Sequence, residues 1–183
     1  MELETKFGKR VEVMIKKVFT EWAGYPEASH SMSNQDLKKV LEQKAPWRFN
    51  TIEEHYQKGS LWRRPTPLVL DVGFKIDFLF QNKKEEPFWG IDFVMHPETS
   101  NKGSWKQIED KEGKICSLYQ KGVYDAIEVD RMAVLVIRPP TEGLVFIDKD
   151  TRLPYILEEV DSLFMKMEET NNFLITGELD LRE

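Results

Sequence analysis

The sequence holds a single cysteine, Cys116, so no disulfide can form within the chain. That suits a reducing compartment. No apolar run approaches the roughly 20 residues that cross a bilayer. The N-terminal MELETKFGKR lacks the apolar core of a secretory signal. The expectation is a cytoplasmic protein with no membrane attachment. There is no Walker loop, no GxGxxG, no GxSxG and no HExxH. The usual nucleotide-cradling, serine-hydrolase and zincin chemistries are therefore excluded. His30, His55 and Cys116 have no metal-ligand spacing to one another. No internal repeat and no low-complexity tract occurs. Basic charge is also short, with 26 Lys and Arg against 32 Asp and Glu. A net charge of −6 excludes attachment to nucleic acid by global charge, but not a local basic groove.

What remains is an ordinary globular composition. Over 183 residues, 40% are hydrophobic and 32% charged, which fits one domain spanning 1–183. Its most informative stretch is Phe74 to His96, FKIDFLFQNKKEEPFWGIDFVMH. Phe74, Ile76, Phe78 and Phe80 alternate, as do Ile91, Phe93 and Met95. A period of two marks strands with one buried face. The polar link from Gln81 to Pro87 makes an antiparallel hairpin the economical arrangement. A turn centred on Lys84 and Glu85 sets Asp77 opposite Asp92 and Lys75 opposite Val94. Facing residues have Cβ atoms about 4.5–5.5 Å apart, so the two carboxylates repel unless a cation lies between them. This predicts a divalent-metal site on the hairpin. The plainer alternative is two solvent-facing aspartates neutralised by Lys75.

The rest of the chain supplies helices and further strands. Leu3, Phe7, Val11, Met14, Val18 and Trp22, with Ile15 and Phe19, predict an amphipathic helix over 2–23, stopped by Gly24. Glu12 lies beside that stripe. Residues 24–66 read as a helical insertion. Ser33 to Asp36 resembles a capping box for a helix through about Gln43, and Thr51 opens another that Gly59 ends. This insertion carries Trp47, Arg48, Trp62, Arg63 and Arg64. They either pack on the domain edge or form an aromatic-basic surface for a phosphate backbone, with Arg48, Arg63 and Arg64 contacting nucleic acid. Pro67 to Val72 is expected to be a strand, with a bend at Gly73. A helix is expected from Ser104 to Gln120, a doubly buried strand at Met132–Ile137, an edge strand at Leu144–Ile147 and a helix at 154–169. Residues 170–183 are expected to be a loosely held tail.

The resulting order is helix, three strands, helix, strand. In that order, and in its two aspartates, the chain resembles the PD-(D/E)XK nuclease superfamily over about residues 2–23 and 67–138. The resemblance implies an α/β fold with a restriction-endonuclease-like αβββαβ core, a central mixed sheet and flanking helices. It implies Mg²⁺ or Mn²⁺ held by Asp77, Asp92 and the carbonyl of Phe93, with Glu12 resembling an acidic residue that some members supply from the first helix. It further implies hydrolysis of phosphodiester bonds in DNA, and cutting of both strands would suit a homodimer. The motif lysine falls at Val94, so Lys75, or Lys106 on the following helix, would have to replace it. His96, four residues after Asp92, is a candidate for a softer metal or a phosphate. The alternative is a nuclease-fold protein without catalysis, acting as a nucleic-acid-binding or protein-binding regulatory module.

Overall fold

The apolar run expected to be buried on both faces does form the centre of the molecule. The computed structural model describes residues 11–28, 30, 32–56, 69–81, 83, 85–96, 102–138 and 153–182. In chain order its elements are α1 (residues 11–22), α2 (Asn34–Lys44), α3 (Pro46–Tyr56), β1 (Phe78–Phe80), β2 (Phe88–Met95), α4 (Lys102–Gln120), α5 (Val123–Ala126), β3 (Val129–Arg138), α6 (Leu153–Glu169) and β4 (Leu174–Asp180). The strands form one mixed sheet in the order β1-β2-β3-β4. β1 runs antiparallel to β2, while β2, β3 and β4 are parallel. The fold is thus α/β, a four-stranded mixed sheet flanked by helices. Among the described residues no helix is long and apolar enough to cross a membrane.

Each face of the sheet has its own core. Met132, Val134 and Val136 of β3 point to one side, where α2, α3, α4 and α5 pack with Leu37, Leu41, Ile52, Ile108, Ile115 and Tyr124. Ala133, Leu135 and Ile137 point to the other, against Val11, Ile15 and Phe19 of α1 and Ile156, Val160 and Phe164 of α6. Alternation sends successive side chains to opposite faces. Helices on both faces explain why β3 is apolar at nearly every position.

The expected hairpin register is the observed one, Phe78 pairing with Ile91 and Phe80 with Trp89. The expected capping box also forms, with Ser33 Oγ accepting the Asp36 N–H at 3.2 Å. Gly24 ends α1 with φ of 78°. The second insertion helix starts at Pro46, earlier than Thr51.

Two expectations are corrected. The first concerns the stretch before the hairpin, where Leu70–Phe74 form a π-helical turn and not a strand. Only Val69 to Val72 of the expected strand is described. Lys75 follows in the left-handed region, with φ 60° and ψ 45°, and its N–H bonds back to the Asp71 carbonyl at 3.2 Å. The alternation of Phe74 and Ile76 therefore comes from a turn, and Lys75 does not share a strand face with Asp77. Among the described residues two strands, not three, precede α4. The second correction concerns the C-terminal residues. Leu174–Asp180 form β4, paired along its length with β3, and Leu179 and Leu181 are buried. Two acids and Gly177 disguise its period of two. Gly177 is needed there, because a Cβ at that position would stand 2.9 Å from Leu163 Cδ1 of α6. Arg63, Arg64, Trp62 and the expected edge strand at 144–147 lie outside the described residues.

Candidate metal centre

Three carboxylates converge where β1 meets the turn before it. Asp71, Asp77 and Asp92 each offer an oxygen within 4.8 Å of the other two. Asp71 comes from the π turn, Asp77 from the residue before β1, and Asp92 from the middle of β2. The sequence points to Asp77 and Asp92, and the structure adds Asp71 to them. The turn is what delivers Asp71. It is clamped by α3, since a Cβ on Gly73 would stand 2.8 Å from Ile52 Cδ1. It is also clamped by α5, where the buried Tyr124 hydroxyl donates to the Phe74 carbonyl at 2.5 Å.

Asp92 is the most constrained of the three. It is fully buried, and neither of its oxygens has a hydrogen-bond partner among the described residues. Lys111 Nζ lies 3.2 Å from its Oδ2 as an ion pair. Asp77 is better supplied, because its Oδ2 accepts the Phe93 N–H at 2.8 Å. This bond extends the ladder past Phe78 and fixes Asp77 beside β2. A buried carboxylate without donors is costly unless neutralised, and among the described residues Lys111 is the one cation within 4.0 Å of any of the three carboxylates. A hard divalent cation, which takes carboxylate and carbonyl oxygens, fits this donor set.

The electrostatics agree with the geometry. Burial, then the neighbouring Asp92, pushes Asp77 up to about 7. Burial, then the charge of Asp77, raises Asp71 to about 6. Asp92 is raised by burial too, with Asp77 and then Lys111 opposing the shift. A carboxyl group whose pKa folding raises stabilises the folded state below its unfolded value of about 4. That contribution is lost as pH climbs through the folded value, for Asp77 between about 4 and about 7. Asp77→Asn is therefore expected to melt above the metal-free wild type at about pH 8, with the gap closing towards about pH 5. Thermal melts in a chelator check this; a gap independent of pH would contradict it.

The other candidates fall at varying distances from this centre. Glu12 is half-buried on α1 and pairs with Lys16 at 3.0 Å. Burial and then Asp77 raise its pKa, so it lies in the field of the triad without joining it. Lys106 is exposed on α4, whereas Lys111, five residues later, points at the site. Five residues are about 140° from a whole number of helical turns, which puts the two on different faces. Lys111 donates to the Phe93 carbonyl at 3.1 Å. It lies on the stripe Ile108, Lys111, Ile115, and a lone charge on a buried helical stripe is the signal that sequence reasoning missed. Val94, at the motif's lysine position, is buried in the core with Ile108. His96 is buried at the end of β2 with its ring against Trp105 at 4.6 Å, on the same strand face as Asp92 but outside the triad. Arg48 is half-buried on α3, at the helix's contact with the turn.

Compared with protein-family models, with curated proteins and with solved structures, the chain matches none of them.

Proposed function

We propose that the chain is a Mg²⁺- or Mn²⁺-dependent nuclease with a restriction-endonuclease-like core, hydrolysing phosphodiester bonds in DNA. The observation that carries this reading is Asp92, fully buried with Lys111 as its one ion-pair partner among the described residues, and within 4.8 Å of two further carboxylates. Asp71, Asp77 and Asp92 would hold the cation, and the Phe93 carbonyl, which has a second lone pair beyond its bond to Lys111, would join them. When bound, the metal supplies Lewis-acid polarisation of the phosphate and a lowered pKa for water.

The chain's own residues account for the remaining needs of the reaction. Hydrolysis adds a water oxygen to phosphorus and breaks the bond to the leaving sugar oxygen, which takes up a proton. Negative charge grows on the phosphoryl oxygens during this step. Lys111 sets its Nζ at the edge of the triad, anchored by the Phe93 carbonyl and Asp92. In that position it stabilises the developing charge and orients water. It therefore fills the role of the motif lysine, from a helix in place of the strand. This placement favours an active nuclease over a binding module without catalysis.

The test is cleavage of plasmid and of single-stranded DNA with Mg²⁺ or Mn²⁺. Metal-dependent cleavage that disappears in Asp77→Ala supports the reading. Absence of cleavage across both substrates and both metals refutes it.

A further inference from the structure

Arg48 and Lys75 are two half-buried cations beside the triad. Neither makes an ion pair within 4.0 Å among the described residues, and the buried Arg48 Nε has no hydrogen-bond partner there. Their positions follow from the packing of α3 on the turn. Arg48 and Ile52 are four residues apart and share a helix face. Ile52 sits on Gly73, midway between Asp71 and Lys75 in the turn. Arg48 is thereby held over the segment that carries one of the carboxylates and the other cation. The two cations act on each other, and the Asp71 carboxylate acts on both.

Lys75 carries a second oddity. It occupies the left-handed region, which glycine adopts freely and a residue with a Cβ adopts only at a cost, as Glu85 and Glu128 also do here. The position closes the π turn through bonds to the Asp71 and Leu70 carbonyls, and glycine would make those bonds equally well. A lysine at a position that suits glycine, half-buried and with no ion pair within 4.0 Å among the described residues, points to a use for its charge. The triad carboxylates act on these two charges only from beyond 4.0 Å, so an anion that bonds both directly would be favoured.

We propose that Arg48 and Lys75 form an anion subsite beside the carboxylate triad, and that it holds a phosphate of the polynucleotide substrate. The identity of the anion as a polynucleotide phosphate rests on the nuclease reading; the subsite itself does not. Arg48 offers a planar fork suited to two phosphate oxygens, and Lys75 a compact point charge. Together they counter the repulsion between a phosphodiester and three carboxylates.

The test compares wild type, Arg48→Gln and Lys75→Gly in three measurements. The probes are inorganic phosphate in Mg²⁺ by calorimetry, a fluorescein-labelled DNA duplex in Ca²⁺ by anisotropy, and thermal stability. Each variant is expected to weaken both bindings about tenfold, the loss of one charge-assisted hydrogen bond. Each is also expected to make the slope of log affinity against log salt on DNA shallower by about 0.9, one phosphate contact. Lys75→Gly should meanwhile melt about 2–4 °C higher, because the backbone is relieved. Weaker phosphate binding by a variant with raised stability separates a ligand role from a structural one. Unchanged phosphate affinity and salt slope in both variants would overturn the subsite, even if wild type cuts DNA. If wild type binds phosphate through these residues but neither binds nor cuts DNA, the subsite stands and the nuclease reading falls.

Discussion

Asp92→Ala is expected to eliminate DNA cleavage and, in the same protein, to raise the melting temperature of the metal-free fold at about pH 8. The two effects have one cause. Asp92 is fully buried, Lys111 is its one ion-pair partner among the described residues, and burial raises its pKa. Keeping such a group charged costs folding free energy that only a cation recovers. Removing the carboxylate removes that cost and leaves Lys111 bonded to the Phe93 carbonyl. In a chain of this length about 1 kcal/mol corresponds to about 2–4 °C, so the rise is measurable by calorimetry. With Mn²⁺ present the order reverses, because only wild type gains stability from binding. A structural aspartate would behave differently, with its alanine variant melting lower under every condition.

Lys111→Ala is expected to slow cleavage by about 10²–10³-fold, the usual cost of losing a preorganised group that stabilises transition-state charge. Mn²⁺ should still bind to this variant, and more tightly, since a competing cation 3.2 Å from Asp92 is gone. The opposed changes in rate and metal affinity are the signature of a charge-stabilising lysine. Single-turnover kinetics with Mn²⁺ calorimetry on the same preparation measure both. Unchanged cleavage in Lys111→Ala would remove it from the mechanism. Lys106→Ala serves as the control on the same helix, because Lys106 is exposed.

The hairpin was legible in the sequence because its strands alternate and its turn is short. Those two features fix register, and Phe78 does pair with Ile91. The buried strand β3 was legible for the same kind of reason, as an apolar run bounded by polar residues. The turn before the hairpin was not. Pro67 to Val72 reads as a strand with a bend at Gly73, yet α3 and Tyr124 hold Leu70–Phe74 in a π turn. Tertiary packing overrode local preference there, and the change of conformation delivered Asp71 to the site. β4 was hidden because Gly177 and exposed acids interrupt its alternation, and only the approach of Leu163 explains the glycine. Lys111 was hidden among six other charged residues on α4, Lys102, Lys106, Glu109, Asp110, Glu112 and Lys114. It stands apart only when the helix is drawn with Ile108 and Ile115 facing the sheet. The two aspartates of the hairpin pointed to the place, and the fold added a third carboxylate and a lysine to it.

The central claim is that Asp71, Asp77 and Asp92 bind a divalent cation. Calorimetric titration of Mn²⁺ into the metal-free protein near neutral pH tests it most directly. Saturable binding to wild type, lost in Asp92→Ala and in Asp77→Ala, is the expected result. Absence of binding to wild type, or an isotherm unchanged by both substitutions, would contradict the account.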